Sequence, residues 1–130
     1  MQRDAVRVAD TREWMANAAL DLRAAELQFT GNPPLTADVV FHCQQLAEKS
    51  MKGLLVWHDE PFRKTHNLVE IGQQCVALDT TLANLMGRAA VLTEYAWKFR
   101  YPGEADEPPE SEAREALALA REVYHAILGR

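Results

Sequence analysis

Apolar residues recur every three or four positions along most of this chain, the spacing that places them on one face of an α-helix. The first such stripe is Met15, Ala18, Ala19, Leu22, Ala25 and Phe29. It follows Asp10-Thr11-Arg12-Glu13, which has the form of a capping box. The spacing predicts a helix from there to about Gln28, ended by Thr30-Gly31-Asn32-Pro33-Pro34. A second helix is predicted over Val39–Trp57, with Thr36 as its N-cap and no proline inside. Asn67 caps a third, shorter one, striped by Leu68, Ile71, Cys75 and Leu78 and weakened by Gly72. Asp79-Thr80-Thr81 starts a fourth. Its stripe runs through Leu82, Leu85, Met86, Ala89, Leu92, Ala96 and Phe99 until Arg100-Tyr101-Pro102-Gly103 stops it. The fifth spans about Glu110 to Leu128, with Ala113, Ala116, Leu117, Ala120, Val123, Tyr124 and Ile127 facing inward. No period-two run or hairpin turn signals a strand. The expectation is one all-α domain over 1–130. It is an up-down antiparallel helical bundle of about five helices, four long and one short.

Composition narrows the function classes. A chain of 130 residues with 48% hydrophobic content is long enough to bury a core. Its net charge of −5 argues against a general polyanion binder. The charge is segregated, however. Lys49, Lys52, Arg63 and Lys64 cluster with His42, His58 and His66, whereas residues 104–115 hold six acids and one arginine. Cys43 and Cys75 form no CxxC and fall on helical stripes, so they are expected to be reduced packing residues. The four histidines, His42, His58, His66 and His125, make no metal-ligand spacing, and the glycines make no phosphate loop. Neither a metal nor a cofactor is expected. The absence of a secretory signal or a long apolar run points to a cytoplasmic protein without a membrane span.

Two places carry candidate chemistry. On the second helix His42, Gln45, Lys49 and Lys52 share a side opposite the apolar face, with Glu48 at its border. This stripe is either a solvated face or a row of donors for an anion or a subunit contact. At the end of the fourth helix, Arg100 and Tyr101 precede Pro102. Arg100 there is either a helix-end cation or a guanidinium fixed at a rigid turn and aimed at a phosphate.

The same residues resemble a known family. Phe41-His42-Cys43-Gln44-Gln45-Leu46-Ala47-Glu48-Lys49-Ser50-Met51-Lys52-Gly53-Leu54-Leu55 is similar to the helix-two signature of HEPN domains, the "higher eukaryotes and prokaryotes nucleotide-binding" domains. Pro61 with Lys64-Thr65-His66-Asn67-Leu68 resembles the family's P-x-x-T-H-x-L segment. Tyr95, Ala96 and Arg100-Tyr101-Pro102 resemble its fourth-helix end, and Ala18, Asp21, Leu22 and Ala25 its first helix. The resemblance implies an all-α bundle, a frequent homodimer and a small, separately encoded nucleotidyltransferase partner, often as a toxin–antitoxin pair. It also implies that active members are metal-independent RNases, in which an arginine is followed a few residues later by a histidine. Arg100 matches that arginine. Ala105, Asp106 and Glu107 stand where the histidine is expected, and Arg121 with His125 is spaced too closely and lies inside the last helix.

The reading that follows is a nucleotide- or phosphate-binding module, acting with a nucleotidyltransferase and without catalysis of its own. Arg100, Tyr101, His42, Gln45, Lys49, Lys52 and His66 are its candidate ligand residues. The alternatives are a metal-independent RNase toxin with a rearranged acid/base pair, with Arg100 as its catalytic residue, and a pure protein-interaction module.

Overall fold

A computed structural model describes residues 4–101 and 106–130. The described residues form five α-helices: α1 Ala5–Phe29, α2 Thr36–Trp57, α3 Leu68–Leu78, α4 Ala83–Ala89 and α5 Glu110–Leu128. Short 3-10 segments, Thr80–Leu82 and Ala90–Ala96, flank α4. Among the described residues there is no strand, and the all-α class is as expected.

α1 and α2 run antiparallel along their whole length. Met15 meets Gly53, Asp21 meets Lys49 and Gln28 meets His42. A Cβ on Gly53 would lie 2.8 Å from the Met15 sulfur, so the missing side chain is what lets the two helices approach here. α5 is antiparallel to α1 through Arg121–Glu26 and to the α4 segment through Arg88–Glu122 and Tyr95–Glu112. The link over 58–67 doubles back along α2, so α3 begins beside Glu48 rather than beyond Trp57. The bundle is therefore α1, α2, the α4 segment and α5, with α3 an accessory laid against it.

Val39, Val40, Cys43, Leu46, Ala47, Met51 and Leu55 of α2 are fully buried, alongside Ala18 and Ala25 of α1 and Ala113, Ala120 and Val123 of α5. Alanine at so many helix contacts allows close packing at little side-chain entropy cost.

Three boundaries differ from the sequence expectation. α1 starts earlier, capped by Asp4, whose carboxylate accepts from the Arg7 N–H at 2.8 Å. No breaker separates Ala5 from Asp10, so helix propensity carries the chain through the internal box. Thr36 is not an N-cap: it is buried at the first helical position, and Leu35 precedes the helix without a side-chain cap. The fourth helix is not one long α-helix. After Ala89 it winds as a 3-10 segment, ending at Ala96 in a turn closed by Arg100 N–H to Trp97 C=O at 3.0 Å. The tighter winding buries Leu92 and Tyr95, three residues apart, and leaves Phe99 only half-buried. Pro102, Gly103, Glu104 and Ala105 lie outside the described residues, and with them part of the expected long loop.

Candidate functional site: the polar face of α2

The stripe on α2 is not a simple solvated face. Gln44, Glu48 and Lys52 are buried, at 0%, 5% and 6% exposure. Their i,i+4 spacing makes one hydrogen-bonded row along the helix. The Gln44 amide donates to Glu48 Oε1 at 3.0 Å, and the Lys52 ammonium donates to Glu48 Oε2 at 3.0 Å. Gln45 donates to Gln44 Oε1 at 2.6 Å. The Lys52 ammonium also faces the rings of Trp14 and Phe62, at 5.9 and 5.6 Å from their centroids. These two rings pack edge to face.

The same carboxylate holds His66. Its Nδ1 lies 2.7 Å from Glu48 Oε1, and its backbone carbonyl accepts from Gln44 at 3.2 Å. Glu48 is buried while 66% of the His66 side chain is exposed. A ring with Nδ1 committed inward keeps Nε2 as its remaining polar atom. Desolvation pushes the Glu48 carboxyl pKa up, but bonds from His66, Gln44 and Lys52, with the Lys52 charge, outweigh it and hold it below the usual carboxylate range.

Arg100 sits at the other end of the face. Its guanidinium stacks 4.0 Å over the Phe41 ring and bonds Asp38 at 3.1 Å. Both members of that ion pair are substantially exposed, at 39% and 44% of their side chains. Next to it, His42 Nδ1 lies 2.9 Å from both the Gln28 side-chain amide and the Asp38 carbonyl, so that nitrogen is committed internally. Tyr101 is 59% exposed. Lys49 turns toward α1 and pairs with the buried Asp21 at 2.7 Å.

The seven candidate residues thus separate. Arg100 and His42 share the Asp38 end, with Tyr101 next in the chain. Gln45, Lys52 and His66 share the Glu48 end, and Lys49 faces α1. Asp38 and Glu48 are ten residues apart on one helix, about 15 Å along its axis. Three cations on this face, Lys49, Lys52 and Arg100, are matched by three acids, Asp21, Glu48 and Asp38. Sequence reasoning placed Glu48 only at the border and missed Phe41, Asp38 and Asp21 as partners. The i,i+4 run Gln44, Glu48, Lys52 was the available signal for the first. Nothing local signals a contact between residues as far apart as Phe41 and Arg100.

Tyr95 donates its hydroxyl to Glu112 at 2.8 Å, and its own ionisation is pushed upward by burial and by that carboxylate. This bond ties the 3-10 segment to α5, behind the turn that carries Arg100. No group of three or more His, Cys, Asp or Glu that could hold a metal ion is present among the described residues, and no described helix is long and apolar enough to cross a membrane.

A family model described as the HEPN domain matches residues 11–130. The chain belongs to the HEPN family. The match takes in both ends of the α2 face. No curated protein and no solved structure gives a significant match. Membership makes this a nucleotide- or RNA-related module.

Proposed function

We propose that this HEPN domain binds the phosphate of a nucleotide or RNA at the Asp38 end of the α2 face, through Arg100. It does so as a homodimer beside a separately encoded nucleotidyltransferase, in a system of the toxin–antitoxin type, without catalysis of its own. The observation that carries the reading is the state of Arg100. It is exposed, oriented by the Phe41 ring, and paired among the described residues only with an exposed carboxylate. Such a surface pair is worth about 0–1 kcal/mol, so a phosphate can displace Asp38 at small cost. Lys49 and Lys52 do not offer this, since a buried acid neutralises each. The reading without catalysis rests on the residues beyond Arg100: Asp106 and Glu107, exposed carboxylates, stand where the family's RNase pattern has its histidine.

The Glu48–His66 bond favours a second reading, a metal-independent RNase with a rearranged acid/base pair. A buried carboxylate orienting an exposed imidazole is an arrangement suited to proton transfer. One assay separates the two: cleavage of a mixed RNA in EDTA by wild type, Arg100→Ala and His66→Asn, with UMP binding measured on the same preparations. Binding that falls in Arg100→Ala, with no cleavage by any sample, is the expected outcome. Cleavage by wild type that is lost in His66→Asn would establish the RNase instead.

A further inference from the structure

We infer that His66 and Lys64 form a second phosphate subsite at the Glu48 end of the α2 face. The ligand of this domain is then a chain carrying at least two phosphates. This rests on the proposed phosphate site at Arg100 and adds to it.

Four observations meet at this corner. The imidazole of His66 is mostly exposed, yet it is fixed from behind: Nδ1 is bound by Glu48 and the backbone carbonyl by Gln44. An exposed side chain ordinarily loses rotamer entropy when a ligand fixes it, and here that cost is already met by the buried row. Lys52 neutralises Glu48 through its other oxygen, so the carboxylate orients the ring without leaving a net negative charge behind it. A protonated ring held this way presents one N–H, at Nε2. Two residues before it, Lys64 is exposed and has no ion-pair partner among the described residues, in contrast to Arg63, which Glu70 holds. A free ammonium two residues from an oriented imidazole adds a second charge-assisted donor for a phosphate at this corner.

The distance between the ends sets the ligand class. Arg100 is anchored at Asp38 and His66 at Glu48, about 15 Å apart along α2. No single phosphate touches both. A mononucleotide fills one end, whereas a nucleotide strand fills both. The contacts proposed at the two ends are to phosphate, so a deoxyribose strand serves as well as a ribose one.

The test uses thymidine monophosphate and oligothymidylates of increasing length, which lack the 2′-hydroxyl needed for RNase-type cleavage. Their binding to the whole protein is measured at one fixed, mildly acidic pH. Wild type is expected to bind the longer strands at least about tenfold more tightly than the monophosphate, as a second charged contact provides. His66→Asn and Lys64→Ala, both at exposed positions that leave the buried row in place, are expected to bind every length with the affinity of the monophosphate. Arg100→Ala is expected to weaken all lengths. A length dependence that survives in both His66→Asn and Lys64→Ala, or no length dependence in wild type while Arg100→Ala still loses binding, overturns the subsite and leaves the Arg100 site standing. Equal binding by wild type and Arg100→Ala removes the site on which the subsite depends, and both readings fall together.

Discussion

The two ends of the α2 face use the same kinds of residue and differ in burial. At the Asp38 end, a guanidinium rests on an aromatic ring and pairs with an exposed carboxylate, both partners being open to solvent. At the Glu48 end, an ammonium and a carboxylate are both buried and an amide completes the row. The comparison shows that the partner decides whether a cation is available to a ligand. Arg100 can leave its exposed carboxylate at small cost. Lys52 cannot leave Glu48 without stranding a buried charge. Its role is to keep Glu48 ionised and His66 in place.

The largest effect expected from this contrast is on stability. Glu48→Ala leaves the Lys52 ammonium buried and unpaired, and should cost about 3–5 kcal/mol in urea unfolding. Asp38→Ala should cost no more than about 1 kcal/mol. Equal losses for the two would erase the distinction between the ends.

The pH dependence sharpens it. The folded Glu48 carboxyl titrates below its unfolded value of about 4.3, so its contribution is complete above that pH and is lost as pH falls through the folded value. Wild type should therefore lose stability more steeply than Glu48→Gln as the solution is acidified below about pH 4, measured by thermal unfolding across a pH series.

The interior beside the face gives a third check. Burial pushes the thiol of Cys43 up to about 12, opposed only by the Arg121 charge, and burial likewise raises that of Cys75 to about 12. Near neutral pH neither should react with a disulfide reagent until the protein unfolds. Glu48→Ala should speed labelling in proportion to its lost stability. The smallest stability effect is expected from Arg100→Lys, within about 0.5 kcal/mol of wild type. Phosphate affinity should still fall, because a lysine lacks the planar fork that stacks on Phe41. A calorimetric titration with UMP checks the affinity.

The stripes gave the helical class and most helix positions, because 3.6-residue periodicity is a local property that burial enforces. The α5 stripe was legible almost residue for residue: Ala113, Ala116, Leu117, Ala120, Val123 and Ile127 are all buried. The fourth helix was misread where its winding changes, since Ala90–Ala96 contains no proline or glycine to mark it. The chemistry was half legible. The sequence sets the polar row along α2, but whether a lysine in it points to water or to a buried acid depends on what packs over it. Trp14, Phe62 and His66 cover the Glu48 end, and they come from α1 and from a link that doubles back. No local rule predicts that doubling back.

The change of winding after Ala89 also fixes where Arg100 stands. Seven residues at the 3-10 rise of about 2.0 Å, instead of about 1.5 Å, carry the chain about 3.5 Å further. At three residues per turn instead of 3.6 they also rotate it by about 140° more. Had Ala90–Ala96 stayed α-helical, the guanidinium would arrive short of Phe41 and on another side of the segment. The segment thus acts as a spacer and a phase shifter together, and the Tyr95–Glu112 bond is the pin that holds its setting. Changes far from the polar face, in the packing of Leu92 or Tyr95, would reach the proposed phosphate site by turning the arm that carries Arg100.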